Sequence, residues 1–140
     1  MNEKMILFID EQPTEIEAAC DFLTARYGEG SWFYAQSSKI GLEFLKNNSN
    51  KVSCISLDLL MPFVSMSQEE DRTKYTLEGL YVLKLINDAF PNIPVVCYSF
   101  VKEEFATDFI SKHKALYIYK GDSNSYSDLL RFFNKHLLTK

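Results

Sequence analysis

Five short, largely apolar runs, at residues 4–9, 31–35, 52–57, 95–98 and 115–119, alternate with five stretches in which apolar side chains recur at helical spacing. Runs this short and this apolar have no obvious solvent side, which suits strands covered on both faces. Strict alternation of strand with helix favours a parallel sheet sandwiched between helix layers and joined by right-handed crossovers. A chain of 140 residues with 46% hydrophobic content accommodates one such domain, spanning residues 1–140, with one sizeable core and no room for a second domain.

Local signals place the elements. Pro13 opens a helical segment that carries Ile16, Ala19, Cys20, Leu23 and Tyr27 at core spacing, sets Glu15 and Glu17 near its positive N-terminal end, and closes at Gly28 and Gly30. Ser37-Ser38 offers an N-cap for a second helix containing Ile40, Leu42, Phe44 and Leu45. A third pattern starts at Thr76, runs through Leu77, Leu80, Tyr81, Leu83, Leu85 and Ile86, and must stop before Pro91. The fourth helix, residues 103–113, groups Phe105, Phe109 and Ile110, and Ser123 is expected to cap a fifth with Leu129, Leu130, Phe133 and Leu137. Residues 63–75 break the rhythm: they separate the third strand from its helix by more than the roughly two to six residues usual in such units. That polar, charged stretch reads as an extended surface loop, with a binding lid next to Asp58 as the alternative.

A formal net charge of -4 and a pI near 5.2 argue against nucleic-acid binding, which needs an excess of Lys and Arg to displace counterions. Cys20, Cys54 and Cys97 are odd in number, far apart and set in apolar surroundings, so they read as core residues in a reducing compartment. His113 and His136 lack ligand spacing. No apolar run approaches bilayer length, and the first is stopped by acids, so neither a membrane span nor a signal segment is expected. The expected location is the cytoplasm.

Polar residues stand where four of the apolar runs end: Asp10-Glu11, Asp58, Ser99 and Lys120. In open parallel sheets ligands bind outside the carboxyl ends of the strands, so these residues should converge. Three carboxylates held together repel one another unless a cation compensates, and hard oxygen ligands with open water positions suit Mg2+. Acids, a hydroxyl and a lysine together describe a device for holding a divalent cation and a phosphoryl group.

The segments ILFIDE, CISLDLLMP, PVVCYS and LYIYKG, in that order and over essentially the entire chain, resemble the receiver domain of two-component response regulators. The resemblance implies a doubly wound, flavodoxin-like α/β fold with strand order 2-1-3-4-5 and helices on both faces. It implies that Asp58 is the phosphoacceptor, attacking phosphorus on a phosphohistidine donor. Glu11 matches the acid that ligates Mg2+ directly and Asp10 the acid that acts partly through water, while Asp58 and the backbone carbonyl of Leu60 complete the metal ligands. Lys120 matches the lysine that pairs with the phosphoryl group, Ser99 the hydroxyl that senses it, and Tyr117 the switch aromatic. Such a chain is a signalling receiver that promotes its own phosphotransfer and autodephosphorylation, not an enzyme acting on other substrates. Its implied partners are a histidine kinase or phosphotransfer protein and a downstream protein, with a homodimer through helix four, strand five and helix five as one form of output.

Four features depart from the family pattern. Glu11 stands where a second aspartate is common, bulky Phe100 follows Ser99, Gly121 replaces the usual proline after Lys120, and the 63–75 insertion displaces Glu78-Gly79, which looks like the family's acidic-glycine pair. They motivate an alternative reading, a receiver-like interaction module that works without phosphorylation.

Overall fold

The computed structural model describes residues 4–60 and 78–138. The loop expected at 63–75, with Met61, Pro62, Thr76 and Leu77, lies outside the described residues.

Five parallel strands form one sheet: β1 (Met5–Ile9), β2 (Trp32–Ala35), β3 (Val52–Leu57), β4 (Val95–Ser99) and β5 (Leu116–Tyr119), in the order β2-β1-β3-β4-β5. The helices are α1 (Glu17–Tyr27), α2 (Ser38–Asn48), α3 (Glu78–Ala89), α4 (Glu104–Lys112) and α5 (Ser125–Leu138). This is the doubly wound α/β architecture and strand order expected from the sequence.

The central strands are buried on both faces, which explains their nearly unbroken apolar runs. Along β1 the side chains alternate between two cores: Leu7 and Ile9 join Leu45, Leu57, Val82, Leu83, Ile86 and Ile110. Ile6 and Phe8 join Leu23, Cys54, Val96, Leu129 and Phe133 on the other face, where Phe8 and Phe133 meet edge to face at 5.4 Å. The first core lies against α2, α3 and α4, the second against α1 and α5. All three cysteines are free and buried, as their apolar settings suggested.

Local chemistry corrects several boundaries. Pro13 does not open an α-helix. Residues Pro13–Glu15 make a separate 3-10 turn, Ile16 is the junction, and α1 starts only at Glu17. Proline fixes φ and lacks an N–H, and a single 3-10 turn accommodates both. The end of α1 is as expected: the Gly28 N–H bonds to Thr24 O at 2.9 Å, and Gly28 has φ of +93°, a region costly for other residues. Ser37 caps α2 by accepting the Ile40 N–H at 3.2 Å.

Ser123 does not cap α5. The Ser125 N–H bonds to Asp122 O, closing a turn after Gly121, and Asn124 O takes the Asp128 N–H, so the helix begins one residue later than expected. The grouping of Phe105 with Phe109 and Ile110 also fails, because Phe105 is turned outward and 46% exposed while Ile110 is buried.

Candidate functional site

Backbone bonds between neighbouring strands hold the strand ends side by side. Asp10 N–H bonds to Ala35 O, Asp58 N–H to Ile9 O and Lys120 N–H to Ser99 O, at 3.1, 2.9 and 2.8 Å. Parallel pairing therefore delivers the residues that end β1, β3, β4 and β5 to one crevice, as the switch-point rule requires. Asp10, Asp58 and Ser99 are buried there.

Each aspartate is anchored through one oxygen. Asp58 Oδ1 accepts the Leu60 N–H at 3.1 Å and the Ser99 hydroxyl at 2.8 Å, leaving Oδ2 to face Lys120 Nζ at 3.7 Å. Asp10 Oδ1 accepts the Gln12 N–H at 2.8 Å, and its Oδ2 accepts from Lys120 at 3.2 Å. Local turns that satisfy one carboxylate oxygen fix the orientation of the other. The Lys120 side chain is only 3% exposed. It lies between aromatic faces, with its ammonium 5.2 Å from the centroid of Tyr98 and 5.7 Å from that of Phe100.

The sequence reading missed Glu15. Its carboxylate bonds to Lys120 Nζ, and its oxygens lie with those of Asp10 and Asp58 within 4.8 Å of one another. Glu11, the expected third acid, is not part of that group. The Pro13–Glu15 turn brings Glu15 back over the strand ends. In the sequence that glutamate is indistinguishable from one placed to favour a helix N-terminus. Leu60 stands at the rim with its side chain exposed. Tyr117 packs beside the first core, and its hydroxyl is buried without a partner among the described residues.

Among the described residues, three carboxylates around one ammonium leave a net negative crevice. Burial, and then the charge of Asp58, push the Asp10 carboxyl up to about 6, against the pull of Lys120 and the Gln12 N–H. Burial alone would lower the Lys120 value, but Asp58, Glu15 and Asp10 outweigh it and hold the ammonium above its usual range. Buried carboxylate oxygens in excess of positive charge are hard ligands that fit a divalent cation such as Mg2+.

A carboxyl whose value is raised on folding contributes stability at low pH that is lost as pH rises through the folded value, here between about 4 and 7. A cation that favours ionised Asp10 restores that loss. Mg2+ is therefore expected to raise the thermal midpoint clearly at pH 7.5 and little at pH 5, and Asp10→Asn to abolish the difference. Equal shifts at both pH values would contradict this account.

No family model matches the sequence, and no curated protein matches it. Solved structures do. A CheY-like response regulator receiver domain protein from Methanospirillum hungatei superimposes with a TM-score of 0.74 at 18% identity, over 96% of this chain and 94% of that one. A receiver domain protein from Clostridium thermocellum gives 0.72 at 22% identity over 96% and 94%. The CheX-CheY-BeF3-Mg+2 complex from Borrelia burgdorferi gives 0.72 at 16% identity over 98% and 90%. The likeness spans nearly the whole chain and includes the strand order, and the chain has the fold of the response regulator receiver domains.

Proposed function

We propose that this chain is a phosphoacceptor receiver in a two-component phosphorelay, a single domain acting in the cytoplasm. The observation that carries the reading is the setting of Asp58. Its carboxylate lies buried at the end of β3, accepts the Ser99 hydroxyl, and faces the Lys120 ammonium.

In the proposed reaction an Asp58 oxygen attacks the phosphorus of a phosphohistidine on a histidine kinase or phosphotransfer protein. The O–P bond forms as the P–N bond breaks, and the imidazole leaves with the electron pair. Lys120 and the Ser99 hydroxyl are placed to meet charge on the phosphoryl oxygens. Asp10, Asp58, Glu11 and the Leu60 carbonyl are the proposed Mg2+ ligands, and the bound ion would supply further positive charge there. When Ser99 turns from Asp58 to the phosphoryl group it vacates space beside β4. Tyr117, paired with Cys97 across β4 and β5 and carrying a buried hydroxyl without a partner among the described residues, is the proposed responder.

The output surface would be α4, β5 and α5, where Leu116, Tyr117, Ile118, Arg131 and Phe132 line a groove available to a downstream protein or a second copy. Nucleic acid and membrane are not proposed partners. Among the described residues no helix is long and apolar enough to cross a membrane.

The test is incubation with acetyl phosphate and Mg2+, followed by intact mass and peptide mapping. One phosphoryl adduct on Asp58, labile to hydroxylamine, is expected. No adduct, together with no response to beryllofluoride, would leave the phosphorylation-independent interaction module as the surviving reading.

Phe100 adds a further expectation. Its ring is 49% exposed at the mouth of the crevice and meets Tyr119 edge to face at 6.2 Å. An apolar rim that limits water slows hydrolysis of a reactive intermediate, so Phe100→Ala is expected to shorten the phosphoryl lifetime by about threefold. The check is adduct decay after the donor is removed, and an unchanged lifetime would count against shielding.

A further inference from the structure

Lys120 carries three N–H bonds, and the structure assigns two of them to partners other than Asp58. Asp10 Oδ2 and Glu15 Oε1 accept from the ammonium, while Asp58 Oδ2 stands at 3.7 Å, beyond a good hydrogen bond. A phosphoryl group on Asp58 would have to win donors from this arrangement. The two partners differ in how readily they release the lysine. The Asp10 side chain is 4% exposed and has little access to water, whereas the Glu15 side chain is 31% exposed and can be rehydrated as it lets go. Separating an ion pair costs less when the departing carboxylate returns to solvent.

We infer that Glu15 is a positioning residue that acts through Lys120, a competing counter-ion that holds the ammonium off Asp58 until a phosphoryl group displaces it. The inference rests on the phosphoacceptor reading and deepens it. Glu15 then sets how tightly the site holds a phosphoryl group without itself touching the reacting atoms. Its location suits an exchangeable partner: the Pro13–Glu15 turn lies outside both the sheet and α1, and the cores do not depend on it. A glutamate here also lies close enough to Asp10 and Asp58 to serve as a third metal oxygen, and the two roles give opposite results in one experiment.

The experiment uses the full chain as wild type, Glu15→Gln and Glu17→Gln. Glu17 lies exposed on the first turn of α1, and its substitution removes the same charge from a residue that is not among the ion-pair partners of Lys120 in the described residues. Affinity for Mg2+ alone, and for beryllofluoride at saturating Mg2+, is read from the ligand dependence of the thermal midpoint. The expected result is that Glu15→Gln binds beryllofluoride about threefold to tenfold more tightly, the range of a partly exposed ion pair, with Mg2+ affinity within about twofold of wild type. Glu17→Gln is expected to match wild type for both. Unchanged or weaker beryllofluoride binding by Glu15→Gln would overturn the inference. So would an equal gain in Glu17→Gln, which would assign the effect to the general field, or a large loss of Mg2+ affinity in Glu15→Gln, which would make Glu15 a metal ligand. If wild type itself binds no beryllofluoride, it is the phosphoacceptor reading that fails.

Discussion

Asp58→Asn is expected to take up no phosphoryl group and yet to melt above wild type when divalent cations are absent. The expected loss of uptake is complete because an amide oxygen is a poor nucleophile toward phosphorus and, among the described residues, no other carboxylate in the crevice has the same setting. Asp10 and Glu15 both point at Lys120 and lack the Ser99 hydroxyl. The gain in stability comes from charge. Asp58 sits with Asp10 and Glu15 around one ammonium, so its charge repels that of Asp10. It is the second cause, after burial, of the raised Asp10 value, which costs stability at neutral pH. The amide keeps an oxygen for the Leu60 N–H and the Ser99 hydroxyl, so the turn and the β3–β4 contact survive. Relief of one close like-charge contact, offset by a weaker hold on Lys120, leaves a gain of roughly 1 kcal/mol, or about 3–5 °C. Mg2+ should narrow the gap by stabilising wild type more. Calorimetry and intact mass on the same samples provide the check: uptake at wild-type level would remove Asp58 as acceptor, and a lower midpoint would refute the electrostatic account.

Much of this arrangement was legible because it depends on where apolar runs stop. Asp10, Asp58, Ser99 and Lys120 mark the ends of buried strands, and in a parallel sheet strand ends must meet. Hydrophobic alternation therefore carried both the fold and most of the site. Strand boundaries shifted by only one residue, as at β4, which includes Ser99 and thus puts the hydroxyl on the sheet itself. Three-dimensional order between β1 and β5, by contrast, is not a local property. The pairing of Lys120 with Asp10 joins residues 110 positions apart.

What remained hidden depended on turn geometry. Glu15 reads as a first-turn helix acid, and only the 3-10 turn at Pro13 redirects it over the crevice. Ser123 is a stronger cap on paper than its position allows, because the Asp122–Ser125 turn consumes the residues before α5. Both cases set a residue's intrinsic preference against the path of a short connection, and the connection prevails. The exposure of Phe105 has the same origin: α4 has nine residues, and its buried stripe is filled by Ala106 and Ile110.

Gly79→Ala is expected to be among the most destabilising conservative changes in the chain, although alanine is the better helix former by about 1 kcal/mol. A Cβ on Gly79 would lie 2.3 Å from Leu59 Cα, 2.8 Å from Asp58 O and 3.0 Å from Leu59 C. These are backbone atoms of the segment that orients the proposed acceptor, and they have no rotamer through which to yield. The Gly79 N–H also bonds to Leu59 O at 3.2 Å, so the start of α3 and the turn after β3 are held together as one unit. To admit a methyl group the helix must retreat, stretching that bond and opening the packing of Leu59, Val82 and Leu83, all essentially buried. Overpacking against backbone together with a weakened buried hydrogen bond costs about 2–4 kcal/mol, of order 10 °C for a domain this size. Gly41→Ala is the informative comparison. Its Cβ would also come close, at 2.6 Å to Cδ1 and 2.7 Å to Cγ1 of Ile9, but these are side-chain atoms with a rotamer through which to yield, so a smaller loss than in Gly79→Ala is expected. Movement of the Asp58 turn should also slow phosphoryl uptake in Gly79→Ala while Gly41→Ala keeps the wild-type rate. Equal midpoints for the two variants would show that the backbone contact between α3 and the acceptor turn gives way as easily as a side chain does.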